Sequence, residues 1–227
     1  MNTLTFHGHS AFQLTTAAGK SLWFDPWLDG NPAADISTAD VKQADFILVS
    51  HGHGDHFGDV IKLAQKTNAT VLATYEIVGF CESKGVKHGH GMSIGGGYTF
   101  PFGYAKLTPA LHGPGVDGAD GLVSTTPNGW WVDLGDARLY HAGDTALTMD
   151  LQLLQGRVDV ALLPIGDNFT MGPEDAARAV EMIKPRVVIP MHYNTFDVIK
   201  QDPADFKRRV GSNAEVVILK PGESYEF

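Results

Sequence analysis

His51, His53, Asp55 and His56 place four metal-capable side chains within the six residues His51-Gly52-His53-Gly54-Asp55-His56. Neutral imidazoles and carboxylates are the ligands that suit zinc and related divalent ions. Two histidines at i and i+2 can bind one ion, while Asp55 and His56 at the next bend can point to a second. Gly52 and Gly54 remove side chains that would crowd a tight turn, and they permit a left-handed backbone if the loop needs one. The run just upstream, Ala44 to Ser50, reads as a short apolar strand, so the cluster sits where a strand runs out into a loop.

Three more ligand-type residues stand at the ends of apolar runs. His112 follows Ala105 to Leu111 and precedes Gly113-Pro114-Gly115. Asp144 lies in His141-Ala142-Gly143-Asp144-Thr145, and His192 follows Val187 to Met191. Asp25, in Phe24-Asp25-Pro26, ends an early strand. His88 and His90 copy the His-x-His spacing, but no aspartate follows and glycines surround them, so they read as a solvated turn. His7 reads as structural. His141, on the strand before Asp144, reads as a core histidine or a support for the ligands.

The elements that must position these residues fall into two regimes. The first third reads as strands at Leu4–Phe6, Ala11–Leu14 and Ser21–Asp25, with a hairpin turn at Ala18-Gly19. A helix over Asp59–Lys66, a strand over Ala69–Ala73 and a helix over Tyr75–Lys84 follow the metal-capable loop. Strands are expected at Tyr104–Leu111, Gly121–Thr126, Gly129–Leu134 and Ala137–His141. Alternation then sets in: helix Ala146–Leu154, strand Val158–Leu163, a helix opened by Pro173, strand Val187–Ile189, helix Pro203–Val210 and strand Val216–Leu219. Pattern alone supports an α/β or α+β class.

Composition bounds the function. The chain has 227 residues with 43% hydrophobic content, enough to bury a substantial core as one domain, 1–227. A net charge of −9 argues against nucleic acid or an anionic membrane as a default partner. Cys81 is the single cysteine, so no internal disulfide can form; with no signal-like N-terminus, a cytoplasmic setting is expected. No apolar run reaches the length of a membrane span. Trp27, Trp130 and Trp131 near turns could mark an interface in a homo-oligomer.

His-x-His-x-Asp-His followed by a histidine, an aspartate and a histidine resembles the signature of the metallo-β-lactamase fold superfamily. Gly8-His9-Ser10, Asp25-Pro26, Gly143-Asp144-Thr145, Gly166 to Gly172 and Met191 to Thr195 add a finer likeness over essentially the whole chain. They look like a group of small metal-dependent hydrolases related to the ascorbate-6-phosphate lactonases, and more distantly to the N-acylphosphatidylethanolamine phospholipases D. Class B1 β-lactamases typically carry cysteine where Asp144 stands, and flavodiiron proteins carry glutamate where His53 stands.

The resemblance implies a four-layer αβ/βα sandwich and two divalent ions, zinc foremost, with manganese, nickel, cobalt or iron also suited to such ligands. It assigns His51, His53 and His112 to one ion and Asp55, His56 and His192 to the other, with Asp144 bridging. Asp25 would orient a ligand histidine. His9 and Asn194 would support the ligands or face the substrate, while Asp167 and Asn168, which follow the strand Val158–Leu163, either line the pocket or cap their turn. The implied reaction is hydrolysis of a small ester, lactone or phosphoester by a hydroxide that the ions activate, with Asp55 orienting it or moving its proton. A phosphodiesterase or nuclease, or a metal-binding module without turnover, are the alternative readings; the full ligand set speaks against the last.

Overall fold

Side chains alternate along the strands of the first half-chain, and that alternation builds the layers. Leu22, Phe24, Leu48 and Leu72 point into one apolar core, whereas Trp23, Ile47 and Val71 join a second core with Leu63, Ile77 and Cys81. The computed structural model describes residues 1–118 and 124–227. In chain order the first half contributes β1 (Thr3–Phe6), β2 (Phe12–Thr15), β3 (Ser21–Phe24), β4 (Phe46–Leu48), α1 (Gly54–Phe57), α2 (Val60–Thr67), β5 (Thr70–Thr74), α3 (Tyr75–Ser83) and β6 (Gly89–Met92). The second half contributes β7 (Gly97–Phe100), β8 (Gly103–Pro109), β9 (Asn128–Asp133), β10 (Arg138–His141), β11 (Val160–Pro164), α4 (Pro173–Ile183), β12 (Val187–Met191), α5 (Pro203–Val210) and β13 (Glu215–Val216). β14 (Ser224–Glu226) then returns to pair with β1.

Two sheets result, in the orders β14-β1-β2-β3-β4-β5-β6 and β13-β12-β11-β10-β9-β8-β7. The two sheets follow the same pairing pattern. Antiparallel pairs run from β14 to β3 and from β7 to β10, and parallel pairs run from β3 to β6 and from β10 to β13. The shared core lies between them, where Phe24, Leu48 and Leu72 meet Leu107, Trp130 and Leu139. Helix residues Leu63, Ile77 and Cys81 cover the outer face of the first sheet, and Ala176, Val180 and Ile183 of α4 pack on the second. This is the expected four-layer αβ/βα sandwich. α4 begins with Pro173 and the acidic pair Glu174 and Asp175, which suit the positive end of the helix dipole, and it stops at Lys184 in a left-handed conformation.

Several expected elements differ. His88 is exposed just ahead of a strand, as expected of a solvated turn, but His90 is not in a turn: Gly89–Met92 is an edge strand parallel to β5. The glycines there serve helix packing, since a Cβ on Gly89 would fall 2.5 Å from Val78 Cγ1 and one on Gly91 would fall 3.0 Å from Tyr75 Cα, both on α3. The helix expected at Ala146–Leu154 shrinks to a 3₁₀ segment, Met149–Leu154, closed by Gly156 at φ 71. The last strand of the second sheet is only Glu215–Val216, and β7 and β14 were not apparent in the sequence. Half of the strand expected at Gly121–Thr126, residues 121–123, lies outside the described residues; Ser124 makes one isolated bridge to Gly115, and Thr125 and Thr126 are in no strand. Trp130 and Trp131 are buried, so of the three tryptophans only Trp27 is accessible enough to mark an interface.

Candidate metal centre

The carboxyl ends of β1, β3, β4, β8, β10 and β12 open onto one cleft edge, the place where parallel strands leave room for ligands. His51 Nε2 and His112 Nε2 each stand 3.1 Å from His53 Nδ1. Three nitrogens bound tetrahedrally at about 2.0–2.1 Å would sit about 3.3 Å apart, so both distances suit a shared ligand set. Asp144 reaches the same point: its Oδ2 lies 3.5 Å from His112 Nε2 and 3.9 Å from His51 Nε2. Asp144 also faces the neighbouring group, with Oδ2 3.1 Å from His192 Nε2 and Oδ1 3.2 Å from His56 Nε2. Asp55 Oδ2 lies 3.9 Å from His192 Nε2 and 3.2 Å from His9 Nε2. His9, Asp55, His56 and His192 can thus offer ligand atoms to one point, and His51, His53 and His112 to another.

Asp25 organises the imidazoles from behind. It accepts from Ser50 N at 2.7 Å and from Ser50 Oγ at 2.5 Å, while His56 Nδ1 stands 2.8 Å from its Oδ2. Because the Ser50 hydroxyl spends its proton on Asp25, the 2.9 Å contact to His51 Nδ1 requires His51 to donate. Both Nδ1 atoms therefore carry protons, and both Nε2 atoms turn toward the cluster. His56 Nε2, His192 Nε2 and Asp144 Oδ1 are buried without a hydrogen-bond partner among the described residues. Lone pairs and carboxylate oxygens facing one another at these distances call for a cation between them, so the residues fit divalent metal.

The electrostatics agree. Burial pushes the His51 imidazole well below its ordinary range. Burial opposes charge on Asp144 and on His56, yet their mutual attraction outweighs it: the carboxyl is held well below the usual range and the imidazole well above. Asp25, likewise buried, is held at about 2 by His56. The pocket therefore favours positive charge among its carboxylates. Burial drives His9 down to about 4, against the pull of Asp55. A neutral His9 donates from Nε2 to Asp55 and accepts at Nδ1 from the Thr195 hydroxyl at 2.8 Å.

Backbone strain gathers here. His9, Asp25, His192 and Asn194 have φ of 57, 43, 56 and 60, the left-handed region that non-glycine residues enter at a cost. The His192 amide donates to the His9 carbonyl at 2.8 Å, tying two of these residues together. Gly52 and Gly54 are absent from the left-handed set. Gly52 is required for space instead, since its Cβ would fall 2.7 Å from Val116 Cα. His141, buried under Phe24, bonds the Ser10 carbonyl through Nε2 and accepts from Gly143 N, so it shapes the turn into Asp144.

Not every sequence candidate meets the cluster. Asp167 and Asn168 are exposed and bond within their own turn. Asn194 Oδ1 accepts from Gln201 N, holding the loop after His192. Ser50, Thr195, Trp27 and Phe196 are contributors that the sequence reading missed. A polar serine closing an apolar strand beside His51 was the one local signal available.

Residues 3–192 match the β-lactamase superfamily domain. The chain is 50% identical over 230 residues to a UPF0173 metal-dependent hydrolase of Heliobacterium modesticaldum, covering 97% of this chain and 95% of that protein. Its counterpart from Enterococcus faecalis is 46% identical over 222 residues, covering 96% of each chain. Among solved structures, Igni18, a metallo hydrolase from Ignicoccus hospitalis, aligns with a TM-score of 0.90 and 35% identity, covering 100% of this chain and 99% of that one. A two-sheet sandwich with imidazoles and carboxylates converging at its strand ends defines a metal-dependent hydrolase of the metallo-β-lactamase fold, and this chain is such an enzyme. It belongs to the β-lactamase superfamily.

Proposed function

We propose that residues 1–227 form one hydrolase domain that holds two divalent ions, zinc foremost, and cleaves a small ester, lactone or phosphoester. His51, His53 and His112 would hold one ion, Asp55, His56 and His192 the other, with Asp144 between them. The observation that carries this reading is the double approach of Asp144, within 3.5 Å of His112 Nε2 and 3.1 Å of His192 Nε2. When bound, such ions polarise the electrophile and lower the pKa of water from about 15.7 toward about 7.

The chain's own groups supply the rest. Asp55 is partly open to solvent, its side chain 27% exposed, and is fixed by His9, so its free carboxylate oxygen can orient the attacking water and take its proton. Hydrolysis forms one bond from the water oxygen to the electrophile and breaks the bond to the leaving oxygen. Asp55 returns the proton to that leaving group. His9, neutral and held by Thr195, keeps Asp55 in place without competing for the proton. Ser50 and Asp25 fix the tautomers of His51 and His56.

The overall charge of −9 favours a small-molecule substrate over nucleic acid. No helix among the described residues is long and apolar enough to cross a membrane. Cys81, the single cysteine, is buried and free, which supports the cytoplasmic assignment. Elemental analysis of protein purified without chelator, run beside turnover of carboxylic esters and bis-phosphodiesters, tests the reading. Up to two divalent ions per chain and metal-dependent turnover are expected; no tight metal even after reconstitution would sink it.

A further inference from the structure

Loops that leave the strand ends on the metal centre's side of the fold carry exposed apolar side chains. Leu111, beside His112, is 64% exposed, and Phe169, Phe196 and Val198 are 55%, 38% and 61% exposed. All four lie on loops that leave the carboxyl ends of β8, β11 and β12. Trp27 and Phe196 are the best organised. Their rings stack 5.9 Å apart at 29°, and both meet His9 edge-on, at 5.4 and 5.7 Å. His9 in turn packs on His192 at 4.0 Å and on His56 at 5.5 Å, so the aromatic pair stands one imidazole away from the cluster.

The same loops are poor in cations. Residues 7–11, 49–53, 110–118, 124–127, 142–148 and 165–172 contain no lysine or arginine. The loop 192–202 has Lys200, which pairs with Asp197 at 2.7 Å. Lys42, in the loop after β3, adjoins Gln43, whose carbonyl accepts from Ser21 at the opposite end of that strand. Lys62 of α2 is engaged by Asp29. Proteins grip phosphoryl groups with guanidinium or ammonium donors, and this rim offers aspartates and apolar rings instead. An accessible aromatic pair beside a reactive centre marks a place for apolar ligand atoms.

We propose that the centre serves a neutral carboxylic ester or lactone whose apolar acyl or ring portion lies against Trp27 and Phe196. The proposal rests on the hydrolase reading above and narrows its substrate class from three to two. Burying methylenes against two aromatic faces favours longer acyl chains, whereas nothing on this wall rewards a second negative charge.

The test uses metal-loaded protein with p-nitrophenyl acetate, butyrate and hexanoate and with bis(p-nitrophenyl) phosphate. Wild type should prefer hexanoate to acetate by about tenfold in kcat/KM, from partial burial of the extra methylenes. Phe196→Ala should bring that ratio close to one at wild-type metal content. A second arm needs no turnover. Trp23, Trp130 and Trp131 are buried, so Trp27 is the tryptophan able to report; hexanoate should shift the emission while acetate and inorganic phosphate do not, and Trp27→Phe should abolish the response. A phosphodiester preferred over every ester, a chain-length ratio unmoved by Phe196→Ala, or no hexanoate response would overturn the proposal. If hexanoate binds in a Phe196-dependent way while no ester or phosphoester is turned over, the apolar subsite stands and the hydrolytic reading fails on its own.

Discussion

Asp25 Oδ2 and His56 Nδ1 lie 2.8 Å apart with both side chains wholly buried, and Ser50 Oγ reaches the same oxygen at 2.5 Å. One carboxylate thus sets the orientation of His56 directly and of His51 through Ser50. Asp25→Asn keeps the shape but turns one acceptor into a donor, so the histidines lose their enforced tautomers. Metal affinity is expected to fall by about 10–100-fold, with excess metal restoring turnover. Titration with a competing chelator measures the first part and kinetics at saturating metal the second.

Asp55 behaves differently. Asp55→Asn keeps one oxygen near His9 and His192 but removes the charge and the ability to take a proton. The fold and much of the metal at His51, His53 and His112 should remain, while kcat drops at least ~10²-fold even at saturating metal. Recovery of near wild-type turnover with excess metal would reduce Asp55 to a simple ligand.

His51→Ala, His112→Ala and His192→Ala should lose metal and activity together. His88→Ala and His90→Ala should keep both. His90 packs against Tyr98 at 4.5 Å and Phe100 at 5.0 Å where the edges of the two sheets meet, so its removal should lower the melting temperature without touching metal content. Metal loss in either variant, measured by elemental analysis, would mean that the two His-x-His pairs have been misassigned.

These contrasts show what the residue string reveals and what it hides. The apolar runs that became β4, β11 and β12 are legible because each is buried over its whole length. β6, β7 and β14 read GHGM, GYTF and SYE, edge segments held by backbone pairing with too few apolar side chains to announce them. The ligand-type residues are visible by their chemistry and spacing. Thr195 and Phe196 are not, because their roles depend on His9, 186 and 187 positions away, and only the folded chain creates that neighbourhood. Asp167 and Asn168 shared the loop position of a site residue without sharing its contacts.

Acid should destabilise the metal-free protein. Burial holds His141 below its ordinary range and His9 at about 4, whereas an unfolded histidine titrates near ~6.5. Below ~6.5 the unfolded chain therefore binds more protons than the folded one, so this stabilisation is present above ~6.5 and is lost as pH falls toward about 4. His56, shifted the other way, already contributes fully below ~6.5 and does not mask the loss. Urea midpoints with chelator present should decline steadily from pH 7 to pH 5; a flat profile would contradict buried neutral imidazoles.

Cys81 should be inert until the chain unfolds. It is fully buried on α3, and burial pushes its thiol up to about 12. A thiol reagent at pH 8 should label it only as fast as global opening allows, and at once in denaturant. Rapid labelling of native protein would place α3 among the locally opening parts of the fold.

The repeated order of the two sheets has a mechanical consequence. In the proposed arrangement each ion draws two ligands from the strand ends of the first half-chain, and His112, Asp144 and His192 come from the second. Neither half owns a complete site, so each bound ion would be a rivet across the seam. Stripping the metal should loosen that seam first, and the two halves would then slacken against each other before either sheet comes apart.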